Sequence, residues 1–197
     1  MSRSLRLGLL AAVVVACATW STRATRAHAR EHPEADALVE RALGPFAGLA
    51  AAIQWVRADV ALRAGREDLF FARAETALAL QPSATQGYVM LAHHLVFDRA
   101  SLEREPLAEV RSHWIRAGLT LLGRGEAEAA EPAELVFDRG LILTYLASLE
   151  DRDRAWPSSR REAWERALAA FERAERLGHP LAAEAAEGAR RALSEDG

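Results

Sequence analysis

No part of this chain alternates apolar and polar residues with a period of two over a useful length. Helical spacing recurs instead, and that excludes a sheet-based core. Leu49, Ile53, Val56 and Val60 step by four, three and four, which is one stripe of a helix. Val110, Trp114, Ala117 and Leu121 repeat the pattern. Alanine, leucine, arginine and glutamate dominate these segments, and all are strong helix formers. The spacing predicts a short helix at 34–43, then helices at 46–64, 67–80, 84–97, 106–122, 132–149, 159–177 and 180–193. Ser83-x-x-Gln86 and Ser159-x-x-Glu162 fit capping boxes, in which side chains satisfy orphan amides of the first turn. Pro106, Pro132 and Pro180 stand where a first turn tolerates a missing N–H. Gly65, Gly123 and Gly178 mark stops, and "GRGEAEAAE" after Leu122 reads as a loop.

Within this helical string one signature recurs. Ala167-x3-Phe171-x2-Ala174 precedes Pro180, and Phe70-x3-Ala74-x2-Ala77 precedes Pro82. Val110-x3-Trp114-x2-Ala117 lies between them without a proline. The preceding helices correspond too: Trp55 and Leu62 are seven apart, as are Tyr88 and Leu95, with an offset of 33 residues between the two aromatics. Small residues allow close helix approach, and an aromatic on the facing helix fills the remaining gap.

The pattern resembles the tetratricopeptide repeat, a helix pair of about 34 residues. The best matches are "YVMLAHHL" for a first helix, "ALAAFERA" for a second and "ALALQP" for its end. Copies are irregularly spaced, and none carries the whole pattern. The resemblance implies an all-α, right-handed solenoid of about three helix pairs plus a C-terminal capping helix, spanning residues 31–197 after an N-terminal segment. The stretch "GPFAGLAAAIQWVRADVALRAGR" also resembles the opening of a group of uncharacterised bacterial envelope proteins. The residues that carry this likeness are Phe46, Gly48, Leu49, Ala50, Trp55, Arg57, Ala58 and Asp59. In that group a repeat-like domain follows one membrane segment, and no activity transfers with the likeness.

Residues 1–30 have the form of a targeting segment: Arg3 and Arg6 open it, and Leu7 to Trp20 carries no charge. Three readings remain open. Ala27-His28-Ala29 offers a small-x-small site for a cleaved signal peptide. The apolar run is short for an uncleaved anchor, which needs about 20 residues. "VVAC", ending at Cys17, resembles a permissive lipobox, which would make the protein a lipoprotein lipidated at Cys17. Each reading holds the rest of the chain at the membrane or in the periplasm. Cys17 is the single cysteine, which excludes an internal disulfide and a cysteine-based zinc site.

The net charge of −3 gives no support for nucleic acid as a partner. All 25 basic residues are arginine, a pattern of genome composition more than of arginine-specific recognition. No G-x-S-x-G, HExxH or phosphate-cradling glycine loop is present, so the reading is of a non-enzymatic scaffold with no cofactor and no metal. Its partner would be a protein or peptide of the envelope, bound on the concave face formed by first helices. Val89, His93 and Phe97 step by four along one such helix, and Arg139 and Leu143 lie on the next, which makes these five the expected groove floor. The alternative is a metal-dependent hydrolase built on His93, His94, Asp98 and His113, and it requires those four to converge. Trp156, in a charged turn before Pro157, reads either as packing on its neighbour pair or as an exposed anchor.

Overall fold

The computed structural model describes residues 46–150, 153–157 and 159–195. The signal or anchor segment, Cys17 and the expected helix at 34–43 lie outside the described residues. Every regular element among the described residues is helical. They fall in two compact units divided between Gln81 and Pro82.

The first unit holds α1 (Phe46–Arg63) and α2 (Glu67–Leu80). Gly65, with φ of 69°, makes the turn between them in the left-handed region that L side chains avoid. On α1 the buried residues are Ala47, Ala51, Gln54, Ala58 and Ala61, an alanine stripe that lets α2 approach closely. Leu49, Val56 and Val60, read from the sequence as an apolar stripe, are exposed instead. The helix is apolar on two faces, and the small-residue face is the one that packs on its partner. From α2, Phe70, Ala74 and Ala77 are buried, as the recurring signature predicts. Arg73 donates to the buried Gln54 side-chain oxygen at 3.3 Å, which satisfies the one polar group in the stripe.

The second unit begins with α3 (Thr85–His93), which runs on into a π-helical turn, His94–Arg99. It continues through α4 (Ala108–Glu128), α5 (Pro132–Ser148), α6 (Arg160–Arg176) and α7 (Ala182–Glu195). In it α5 packs against both α4 and α6, and α7 closes on α6. Tyr88, Leu91, Leu122, Leu135, Ile142 and Leu146 form the largest part of its core. Towards the C-terminus the core becomes alanine: Ala163, Ala167, Ala174, Ala182, Ala186 and Ala189 bury almost completely around Phe171.

Several boundaries follow the sequence reading, and several do not. Ser159 caps α6, accepting from the Glu162 amide at 3.1 Å, and Pro132 opens α5. Ser83 does not cap α3, whose N-cap is Ala84; its carbonyl accepts from the Ala130 amide at 3.0 Å instead. Gly178 ends its helix with φ of 88°. Gly123 ends nothing, because α4 continues to Glu128 through most of the segment read as a loop. The glycines there serve close approach. A Cβ on Gly125 would stand 2.7 Å from Tyr88 Cγ, inside the van der Waals limit, so only glycine lets α3 and α4 meet at that point.

The middle signature is displaced by one residue. Arg111, Ile115, Gly118, Leu122 and Gly125 are buried on α4, whereas Val110, Trp114 and Ala117 are only half-buried. The i, i+4, i+7 step with a small residue last is kept as Arg111-x3-Ile115-x2-Gly118. Gly118 meets Val96 and the Ala92 carbonyl, where a Cβ would sit 2.8 and 3.1 Å away.

Candidate binding surfaces of the second unit

Two neighbouring faces of α5 carry different chemistry. Asp138 and Tyr145, seven apart, share one side of the helix, and Arg139 and Leu143, four apart, share another.

On the first side, His93 donates from Nε2 to both carboxylate oxygens of Asp138, at 2.8 and 3.0 Å. The same imidazole meets Phe97 edge to face at 5.1 Å between centroids, and Phe97 meets Tyr145 in the same manner at 4.9 Å. Phe97 comes from the π-helical turn, whose wider i→i+5 bonding is seen in Ala100 N–H to Leu95 C=O at 3.1 Å. Phe97 and Tyr145 are 36% and 43% exposed, so the packed rings form a ledge open to solvent. Asp138 is buried, and that burial raises its pKa above the ordinary carboxylate value; the His93 contact opposes the rise, and the Glu134 charge adds to it.

On the second side α4, α5 and α6 enclose an open groove of about 870 Å³. Its floor is Val136, Arg139 and Leu143 of α5. One wall is Arg116, Leu119, Thr120, Gly123 and Arg124 of α4, and the other is Arg166, Ala169, Ala170 and Arg173 of α6. Trp156, from the α5–α6 connection, is the remaining lining residue. Five of these residues are arginines and none is acidic. The half-buried Glu126 is shared by Arg139 at 2.7 Å and Arg173 at 2.8 Å. Arg166 pairs with Glu162 at 2.9 Å and lies over the Trp156 ring at 5.0 Å, with Arg116 over the same ring at 6.0 Å. Arg116 donates to Ser112 Oγ at 2.9 Å. Arg139 crosses towards α4 and donates to the Leu119 carbonyl at 3.3 Å. Gly123 makes room for it, since a Cβ there would stand 2.9 Å from Arg139 Nη2.

Two buried arginines hold the connection that carries Trp156. Arg154 donates from Nε to the Leu146 carbonyl at 3.0 Å and bonds the Leu149 carbonyl, which satisfies the C-terminal end of α5. Arg111 donates to the carbonyls of Glu105, Pro106 and Asp153 at 3.1, 2.9 and 3.3 Å. Through Asp153 it ties the start of α4 to the segment leading to Trp156.

The five residues expected to form one groove floor therefore divide. His93 and Phe97 join the ledge, whereas Arg139 and Leu143 floor the arginine groove, and Val89 is half-buried on α3. Asp138, Tyr145 and the other four groove arginines were not singled out by sequence. Asp138 left a signal in hindsight, as a charged residue inside the apolar run "ELVFDRGLIL". The four residues of the hydrolase alternative also divide. His93 turns to Asp138, His94 Nδ1 pairs with Asp98 at 2.9 Å, and His113 lies edge to face with Trp114. Among the described residues no group of three or more His, Cys, Asp or Glu side chains could hold a metal ion. Among them, too, no helix is long and apolar enough to cross a membrane.

The sequence matches no family model, and no curated protein or solved structure is significantly similar to it.

Proposed function

We propose that this chain is a tetratricopeptide-like recognition scaffold without a catalytic role, which binds a protein or peptide partner in a bacterial cell envelope. The observation that carries the reading is the aromatic ledge of the second unit. Exposed rings are normally mobile, and ordering them on binding costs entropy. Here Phe97 and Tyr145 are already locked against one another and against a histidine that is itself tied to Asp138. Preorganised aromatic anchors beside a polar group are what protein-binding hot spots consist of. The recurring signature, with small residues against rings in successive helix couples, supports the repeat-like part of the reading. The N-terminal apolar segment, in any of its three forms, supports placement at the outer face of the membrane.

The test is affinity capture from detergent-solubilised envelope with Phe97→Asp and Tyr145→Ala as paired variants. Wild-type chain retains one specific partner, and both variants lose it while keeping their helical circular dichroism. Retention of the same proteins by all three would remove the ledge from the account.

A further inference from the structure

We infer that the outward face of α1 is the seam of a parallel homodimer, docking on the same face of a second copy of this chain. It lies in the first unit, apart from the ledge and the arginine groove. Phe46, Leu49, Ile53, Val56 and Val60 follow one another at steps of three, four, three and four. All five are between 37% and 66% exposed. Exposed large apolar residues normally stand singly. Here α1 gives its alanines to α2 and turns a continuous row of larger side chains outward.

The spacing points to a helix as the occupant. The steps are those of the a and d positions of a heptad, with Phe46, Ile53 and Val60 at a and Leu49 and Val56 at d. A stripe confined to these positions is a coiled-coil seam, narrower than the apolar face of a helix that lies on a lipid surface. The exposed Arg57 and Asp59 border it on either side, and a bilayer would press both charges towards its acyl region. Two seams that meet along one row leave both edges in water.

The residue types point to a second copy running the same way. Ile53 and Val60 at a with Leu49 at d are the combination that favours two parallel strands. Parallel pairing sets each seam residue against its own counterpart. Antiparallel pairing would set Phe46 against Arg63 of the other copy, at the next d position, whose guanidinium is tied to Asp59 at 2.8 Å. Ten side chains at roughly 60–100 Å² each withdraw about 600–1,000 Å² from water. That is the size of a weak, reversible interface, so the dimer depends on concentration.

The test traps this reversible pair in living bacterial cells that make the full-length chain. Cys17→Ser removes the native cysteine, and one new cysteine is placed at Leu49, at Val60, or at the exposed Glu184 of α7. Parallel pairing brings Leu49 and Val60 each within disulfide reach of its counterpart. Oxidation with copper phenanthroline converts the Leu49→Cys and Val60→Cys chains into a species of twice the chain mass and leaves Glu184→Cys monomeric. Val56→Asp added to Leu49→Cys abolishes that species, because it sets two carboxylates against each other in the seam. Val56 is exposed, so the variant keeps its helical circular dichroism. No covalent dimer from either seam position overturns the inference and leaves the face to lipid, to another protein or to another part of this chain. Equal dimer from Glu184→Cys reports collision alone and overturns it too, as does dimer that persists with Val56→Asp. Dimer formed only when Leu49→Cys and Val60→Cys chains are made together overturns the parallel direction.

Discussion

The Phe171 ring lies directly over Gly140, so close that a Cβ built on that glycine would stand 2.6 Å from Phe171 Cδ1. Phe171 belongs to α6 and Gly140 to α5, and the ring is almost fully buried at the point where the two helices cross. Phe171 is the aromatic of the recurring signature, and bare backbone faces its ring. Gly125 against Tyr88 repeats it between α4 and α3.

Gly140→Ala forces the methyl group into that ring. The core there cannot shift freely, because Phe171 also packs on Phe137 at 5.5 Å between centroids. Overpacking of this kind costs about 1–3 kcal/mol. Urea denaturation of the second unit should show that loss. Gly188→Ala on α7, where a Cβ meets nothing within 4 Å, should be neutral or slightly stabilising in the same assay.

Arg111→Ala removes a buried guanidinium and leaves the carbonyls of Glu105, Pro106 and Asp153 without their donor. The expected loss is about 2–4 kcal/mol. Because the same contacts hold the segment leading to Trp156, the variant also changes tryptophan fluorescence in the native state. Arg191→Ala, exposed on α7, changes neither.

Much of the fold was legible from sequence for a physical reason: helical periodicity depends on which residues are apolar, and the alanine-rich stripes are apolar throughout. Phe70, Ala74, Ala77, Ala167, Phe171 and Ala174 all fall where the signature puts them. On α4 the stripe was misread by one residue, because the buried position at its start is Arg111 and hydropathy alone sends an arginine outward. Gly123 was read as a stop because sequence does not distinguish a glycine that ends a helix from one that makes room for Arg139. The groove was not legible. Its arginines stand at ordinary helix-surface positions among 25, and only the packing of α4 and α6 on α5 brings five of them together.

The burial of Asp138 sets a pH dependence whose sign is fixed, and the His93 contact only reduces it. Burial is the largest cause of the raised Asp138 pKa. A carboxyl whose folded pKa is raised favours the folded state when protonated. That contribution is fully present below the unfolded carboxylate range and is lost as pH rises through the folded pKa. Asp138→Asn keeps the shape and removes the titration. Relative to wild type, the variant therefore gains stability as pH is raised from about 4, the ordinary aspartate range. Denaturation midpoints taken from pH 4 to 7 check this, and a constant difference across the range would show that Asp138 does not titrate as its burial requires.

The central claim is that the ring ledge is a recognition surface, and photo-crosslinking in living cells tests it most directly. A benzophenone side chain replaces Tyr145 in one strain and the exposed Glu184 of α7 in another. The account predicts one discrete protein adduct from position 145, abolished by Phe97→Asp in the same chain, and none from position 184. No adduct at 145, or the same adducts from both positions, would contradict it.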